Sequence, residues 1–172
     1  MSTFLRQARR GVAAGFAATA PMTLFMDAVH ALLPRHEQNG LPPEHITARA
    51  LAKTGVDADA APGEHDSLSM VAHFAFGATA GSFYTPLAQR LRPHPILGGV
   101  AYGLAVWAAS YLGWLPAASL YRSALREPAR RNLMIIGAHV VWGAVLGAVT
   151  ETFEHNDAEA RTEKERDLCE PP

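Results

Sequence analysis

Residues 73–81 of the 172-residue chain read HFAFGATAG, and residues 139–147 read HVVWGAVLG. Both stretches begin with histidine, continue with two apolar residues and an aromatic residue, and end in the pattern GAxxG. Residues four apart share one face of an α-helix, so each stretch places its histidine and its glycines on a single stripe. Glycine lets a second helix approach closely, which is how helices gain packing in lipid. The glycines expected at helix contacts are Gly77, Gly81, Gly143 and Gly147.

A second pair of stretches shows the same kind of similarity. Residues 11–17 read GVAAGFA and residues 99–105 read GVAYGLA. The two pairs occur in matching order, with the members 88 residues apart in one pair and 66 in the other, which indicates a duplicated helical hairpin. Chance is the alternative, because Gly- and Ala-rich membrane helices often contain GxxxG. A true duplication would relate the halves by a pseudo-two-fold axis along the membrane normal.

The composition is that of a membrane protein. Apolar residues make up 49% of the chain and charged residues 18%, against about 25% charged in average soluble domains. Four weakly charged segments each approach or exceed the roughly 20 residues that cross a bilayer. We therefore expect an all-α, four-span transmembrane bundle built from two related hairpins, with spans at about 11–33, 68–90, 96–120 and 132–151. The net charge of −1 leaves no basic face for nucleic acid.

These spans define one transmembrane domain, residues 1–151, followed by a charged tail, residues 152–172, predicted to be disordered. In the first loop, Pro42-Pro43-Glu44 predicts the start of a short helix lying on the membrane surface or on the bundle. The mean hydropathy of +0.02 fits this organisation, because the loops and the tail lower the average.

The N-terminal segment carries the main signal for how the chain is oriented in the membrane. Arg6, Arg9 and Arg10 precede the first apolar run and favour a cytoplasmic N-terminus in a bacterial inner membrane, although four arginines between segments three and four oppose it. The same segment also has features of a cleavable signal ending at Ala20, but the apolar run continues to Leu33, which favours a first span.

Four acidic or histidine residues lie away from the ends of the predicted spans, where a charged group costs about 2.5–3.5 kcal/mol. Asp27 and His30 lie late in segment one, while His73 and His139 lie early in segments two and four. Because successive spans alternate in direction, all four are expected near the same membrane face.

Three interpretations of these residues are open. His73 and His139 could ligate haem iron, or all four residues could hold a transition metal. The histidines could instead be hydrogen-bonded links between helices. The third interpretation is a proton-handling cluster with Glu151 at the other end of segment four. No enzyme motif is found, so whether the protein is an enzyme stays open.

Residues 68–150 resemble the YagU-like inner-membrane proteins of unknown function. The resemblance lies in residues 73–84, 98–103, 113–116 and the HVVWG of 139–143, while Asp27 and His30 have no counterpart in it. It implies a small integral protein of the bacterial inner membrane, with some members suspected of a role in acid or stress tolerance and no accepted catalytic site.

The expected function is therefore that of a non-enzymatic accessory or stress-related membrane protein with a histidine-lined inner face. The alternative is a haem- or metal-binding redox or carrier protein that uses His73 and His139. The lipid bilayer is the expected partner, and a second membrane protein or a second copy of the chain is a candidate.

Overall fold

The computed structural model describes residues 3–38, 40–54 and 64–169. Within these ranges the chain is helical and contains no strand, which confirms the all-α prediction. The helices are α1 (Thr3–His30), α2 (Pro42–Thr54), α3 (Glu64–Leu91), α4 (Pro95–Ala108), a π-helical segment (Ala109–Trp114) that runs into the short α5 (Leu115–Ala117), and α6 (Ala129–Cys169). Short 3-10 turns lie at Arg35–Glu37 and Ala124–Arg126.

The long helices alternate in direction. Helix α1 packs along α3 and α6, and α4 packs along α6. At one end of the bundle Gln7 of α1 donates a hydrogen bond to Gln89 of α3, and Arg10 of α1 forms an ion pair with Asp157 of α6. The start of α1 therefore lies beside the last turns of α3 and the distal part of α6.

The contact between α1 and α3 is made by backbone against backbone. A Cβ atom built on Gly11 would overlap the carbonyl oxygen of Gly81, and one on Gly15 would lie 2.9 Å from the Cα atom of Gly81. A Cβ atom on Gly77 would meet the side chain of Thr19 and lie 3.2 Å from the Gly15 carbonyl oxygen. We call Gly11, Gly15, Gly77 and Gly81 the first glycine seam.

Helices α4 and α6 meet through the corresponding glycines. A Cβ atom on Gly143 would overlap the carbonyl oxygen of Gly99, and one on Gly103 would lie 3.2 Å from the Cα atom of Gly143. The register differs by one helical turn, since Gly81 faces Gly15 whereas Gly147 faces Gly99. The second glycine seam consists of Gly99, Gly103, Gly143 and Gly147.

Trp142 joins the first seam to α6. This side chain is 2% exposed, and its indole N–H donates to the Gly15 carbonyl oxygen at 3.3 Å. Leu146, one turn further along α6, is fully buried in the same cluster. A large residue at this place could face either a helix contact or lipid, and the burial of Leu146 shows that it faces the helix contact.

Three described helices are long and apolar enough to cross a membrane: Thr3–His30, Pro95–Ala117 and Ala129–Ala160. Helix α3 is as long as α1, at 28 residues, but is not one of them. The structure therefore supports an all-helical protein with membrane-compatible helices and leaves the four-span arrangement unconfirmed.

The chain is irregular between α4 and α6. The Trp-Leu-Pro of residues 114–116 favours a break in the helix because of its proline, and the structure places there a π-helical segment that ends at Trp114. Gly113 has φ −108° and ψ −105°, which are not helical angles. Ser119 then ends α5 in the left-handed region, with φ 55°, and the Leu120 N–H donates back to the Leu115 carbonyl oxygen.

A buried arginine holds the first loop against the start of α6. Arg131 is 4% exposed, donates to the carbonyl oxygens of Glu37 and Gly40, and lies 3.5 Å from the carboxylate of Glu127. Its Nε–H also donates to the Tyr121 hydroxyl, whose pKa is raised by burial. Arg131 is one of the four arginines between segments three and four that were expected at the membrane interface, and the structure gives it an internal position.

Helix α6 continues through the charged segment that was predicted to be a disordered tail. Arg10 pairs with Asp157, and His155 lies 3.3 Å from Glu159 one turn away. Glu, Lys, Arg and Ala are good helix formers, so this composition is compatible with continued helix. Residues 170–172 lie outside the described ranges.

Replacing Gly77 with leucine should destabilise the protein. The new side chain would force α1 and α3 apart, at a cost of about 1–3 kcal/mol. For a chain of this size that corresponds to a fall of roughly 2–12 °C in Tm. Leu24→Ala is the control, because Leu24 is 69% exposed. Thermal unfolding in detergent measures both, and equal Tm values for the two variants would contradict the seam.

Arg131→Met should also be strongly destabilising. It leaves the buried Glu127 carboxylate and two loop carbonyls without their cation, and breaking a buried ion pair costs about 3–5 kcal/mol. Arg130→Met is the matched control, since Arg130 is the exposed neighbour. Denaturant unfolding should separate the two variants, and similar free energies of unfolding would rule out the internal role of Arg131.

Candidate functional site

A cavity of about 480 Å³ lies between α1, α3 and α6, beside α2 and the π-helical segment. Most of its wall is apolar. Helix α1 contributes Met22 and Met26, α2 contributes Ile46 and Leu51, and the chain beyond the π-helical segment contributes Leu115 and Leu120.

Helix α2 forms one wall of the cavity. Its first turn is stabilised because the Glu44 carboxylate accepts a hydrogen bond from the Leu41 N–H at 3.1 Å. Near its other end the Lys53 ammonium donates to the Ala118 carbonyl oxygen, just beyond α5. The helix therefore lies on the bundle. This is one of the two positions expected for it, the other being the membrane surface.

His139 brings a fixed imidazole to the cavity. The residue is 5% exposed, and its Nδ1 atom lies 2.8 Å from the Ile135 carbonyl oxygen on the preceding turn of α6. A carbonyl can only accept, so Nδ1 carries the proton and donates it, and the neutral ring keeps Nε2 as an acceptor. The edge-to-face contact with Tyr111, at 5.8 Å between ring centroids, also fixes the orientation of the imidazole.

His73 brings a second imidazole to the same cavity from α3. Its Nε2 atom is buried and has no hydrogen-bond partner among the described residues. A buried polar atom without a partner costs about 1–3 kcal/mol. The two histidines that sequence analysis paired thus line one cavity, and one of them has an unused polar atom.

Aromatic side chains complete the wall. Tyr111 and Trp114 come from the π-helical segment, and the Trp114 indole N–H donates to the Ser110 hydroxyl at 3.2 Å. Sequence analysis did not find these residues as part of a site. The sequence signal that could have pointed to them is the helix break at residues 113–116. Irregular helical turns, and π-helical turns in particular, are frequent at functional sites.

Asp27 and His30 do not join the two histidines at the cavity. Asp27 is exposed on α1, about 100° around the helix from Met26, which does line the cavity. His30 is half-buried in the last turn of α1 and is not part of the wall. No three His, Cys, Asp or Glu residues in the described ranges lie close enough together to hold a metal ion.

Glu151 is also remote from the histidines. It is exposed and lies about 18 Å from His139 along the axis of α6. It lines a separate, more polar pocket with Arg10 and Asp157 at the opposite end of the bundle. The structure therefore provides no direct contact between the histidines and the carboxylate proposed as their proton partner.

Comparison with known proteins gives a family without an assigned activity. No curated protein and no solved structure is found to be similar to the chain. Residues 28–148 match the family described as protein of unknown function DUF1440. The matched range covers α2, α3, α4 and both cavity histidines but little of α1, and the resemblance to YagU-like proteins stays a prediction. Since the match covers more than half of the sequence, the chain belongs to the DUF1440 family.

Proposed function

We propose that this chain is a four-span integral membrane protein with a non-enzymatic accessory role, whose histidine-lined cavity holds a small molecule. The observation that carries the proposal is the cavity of about 480 Å³ to which α3 and α6 each contribute an imidazole. Its volume lies within the range of about 300–1,000 Å³ that is typical of ligand pockets.

The surface of α3 supports the proposal that this helix spans the membrane in addition to the three candidate spans. Large apolar side chains are exposed along it, among them Val71, Phe83 and Leu91, at 64%, 65% and 67%. Two of its hydroxyl groups are satisfied within the helix: Thr79 donates to the Ala75 carbonyl oxygen at 2.8 Å, and Ser82 donates to the Thr79 carbonyl oxygen at 2.6 Å. A helix with an apolar surface and internally bonded hydroxyls is suited to lipid.

The two glycine seams support a duplicated hairpin. Helix α1 pairs with α3, and α4 pairs with α6, through glycines at corresponding places of the two sequence repeats. The Arg10–Asp157 pair places the start of α1 and the charged end of α6 together, as an even number of crossings requires. With the arginines before the first span, this favours both ends in the cytoplasm of a bacterial cell.

A stress-related role for this accessory protein rests on the resemblance to YagU-like proteins alone.

The alternative, haem or a metal held by His73 and His139, has one observation in its favour. The Nδ1–H of His139 is bonded to a carbonyl, which is how proteins orient a histidine that ligates through Nε2. Against haem, the described residues lining the cavity include no Arg or Lys to pair with its carboxylates.

The four-span proposal predicts that α3 separates two compartments. In a Cys169→Ser background, Arg49→Cys before α3 and Arg92→Cys after it should lie on opposite sides of the membrane. A membrane-impermeant maleimide should label Arg49→Cys in intact bacterial cells and Arg92→Cys only after lysis. Labelling of both on the same side would remove α3 as a span, and the reverse pattern would overturn the orientation alone.

Absorption spectroscopy and elemental analysis of the purified protein together separate the two functions. The proposed accessory function predicts no Soret band after expression with a haem precursor, and less than one Zn, Cu or Fe atom per chain. A Soret band, or a stoichiometric metal, that is lost in both His73→Ala and His139→Ala would decide for the alternative.

A further inference from the structure

We propose that the cavity binds a neutral, lipid-soluble quinol, meaning a hydroxylated aromatic ring with an apolar tail. The inference rests on the proposed function, because it names the ligand class of the same cavity. It follows from the charge, the hydrogen-bonding capacity and the ring content of the wall.

The absence of charge in the wall favours a neutral ligand. None of the described lining residues is Asp, Glu, Lys or Arg. An ionised group is expensive to bury without a partner. A phosphate or carboxylate headgroup would therefore find no opposite charge here, whereas the methionine, leucine and isoleucine side chains suit an apolar tail.

The tautomer of His139 favours a ligand that donates a hydrogen bond. Because Nδ1–H donates to Ile135, the ring nitrogen left for a ligand is Nε2, an acceptor. A hydroxyl group satisfies this atom and a bare carbonyl does not. His73 adds a second imidazole, whose buried Nε2 atom has no partner in the described part of the chain. A rotation of this ring toward the cavity would let a second oxygen on the ligand bond to that atom.

The aromatic residues favour a planar ring. Phe76 and Trp114 lie side by side at the cavity, with ring centroids 6.0 Å apart, and Tyr111 packs edge-on against His139. Aromatic walls bind aromatic rings through stacked and edge-to-face contacts. A ring with hydroxyl groups combines this shape with the donor that His139 requires.

The test measures binding of a short-chain ubiquinol analogue to the full chain in phosphatidylcholine nanodiscs. Bound quinol is quantified by mass spectrometry after removal of free ligand, with empty discs as the reference. We expect one quinol per chain. The oxidised quinone has the same ring and tail but no hydroxyl donor, and it should bind about tenfold more weakly.

The variants His73→Phe and His139→Phe keep an aromatic ring in place and should each weaken quinol binding about tenfold. His155→Phe is the control, because that side chain is 71% exposed in the distal part of α6. If a variant does not fold, the ratio of quinol to quinone affinity in the unmodified chain still tests the proposal, because that comparison needs no substitution.

Equal binding of quinol, quinone and a dodecane tail would overturn the proposal and assign the cavity to acyl chains. Binding that is unchanged in folded His139→Phe would overturn it as well. Opposite-side labelling of positions 49 and 92 without quinol binding would reject the ligand class and keep the four-span function. Same-side labelling would reject the four-span function itself.

Discussion

Close contact between helix backbones at the two glycine seams is the constraint on which the rest of the fold depends. In lipid the surroundings are as apolar as the side chains, so helices are held by packing and hydrogen bonds rather than by burial of apolar surface. The four glycines of each seam allow the backbones of α1 and α3, and of α4 and α6, to touch. A single added Cβ atom at Gly11 or Gly99 would overlap a carbonyl oxygen of the opposite helix.

The position of the cavity follows from the seams. His73 lies one turn before the first seam glycine of α3, while the His139 backbone still lies against α4, since a Cβ atom on Gly103 would overlap the His139 carbonyl oxygen. At the other end of the bundle α3 and α6 come together, where the Thr85 and Thr150 hydroxyls lie 3.4 Å apart. At the histidines both helices line the cavity, and α2 and the π-helical segment form its other walls.

Features with a local cause could be predicted from the sequence. The spacing of the glycines indicated the contact faces, Pro42-Pro43-Glu44 indicated α2, and the Trp-Leu-Pro of residues 114–116 indicated a break. Helical periodicity and alternating direction also placed His73 and His139 at one level. Each of these inferences needs only the geometry of one helix.

Features that depend on distant parts of the chain could not be predicted. The partners of Arg131 lie in the first loop, more than 90 residues away, so its burial has no local signal. The π-helical turn that aims Tyr111 at the cavity, and the rotation that leaves Asp27 exposed, depend on how the helices pack. Helix α3 is not among the three described helices that are long and apolar enough to cross a membrane, so the span predicted at residues 68–90 stays a proposal.

A double-mutant cycle on the glycines tests the seams most directly. Gly11→Ala and Gly81→Ala act on the same contact, so once one has separated α1 from α3 the other should add little. We predict that the free energy of unfolding lost in this double variant is smaller than the sum of the single losses by about 1 kcal/mol or more. Gly11→Ala with Gly103→Ala, one from each seam, should be additive to within about 0.5 kcal/mol. Additive losses for Gly11→Ala with Gly81→Ala would contradict the account.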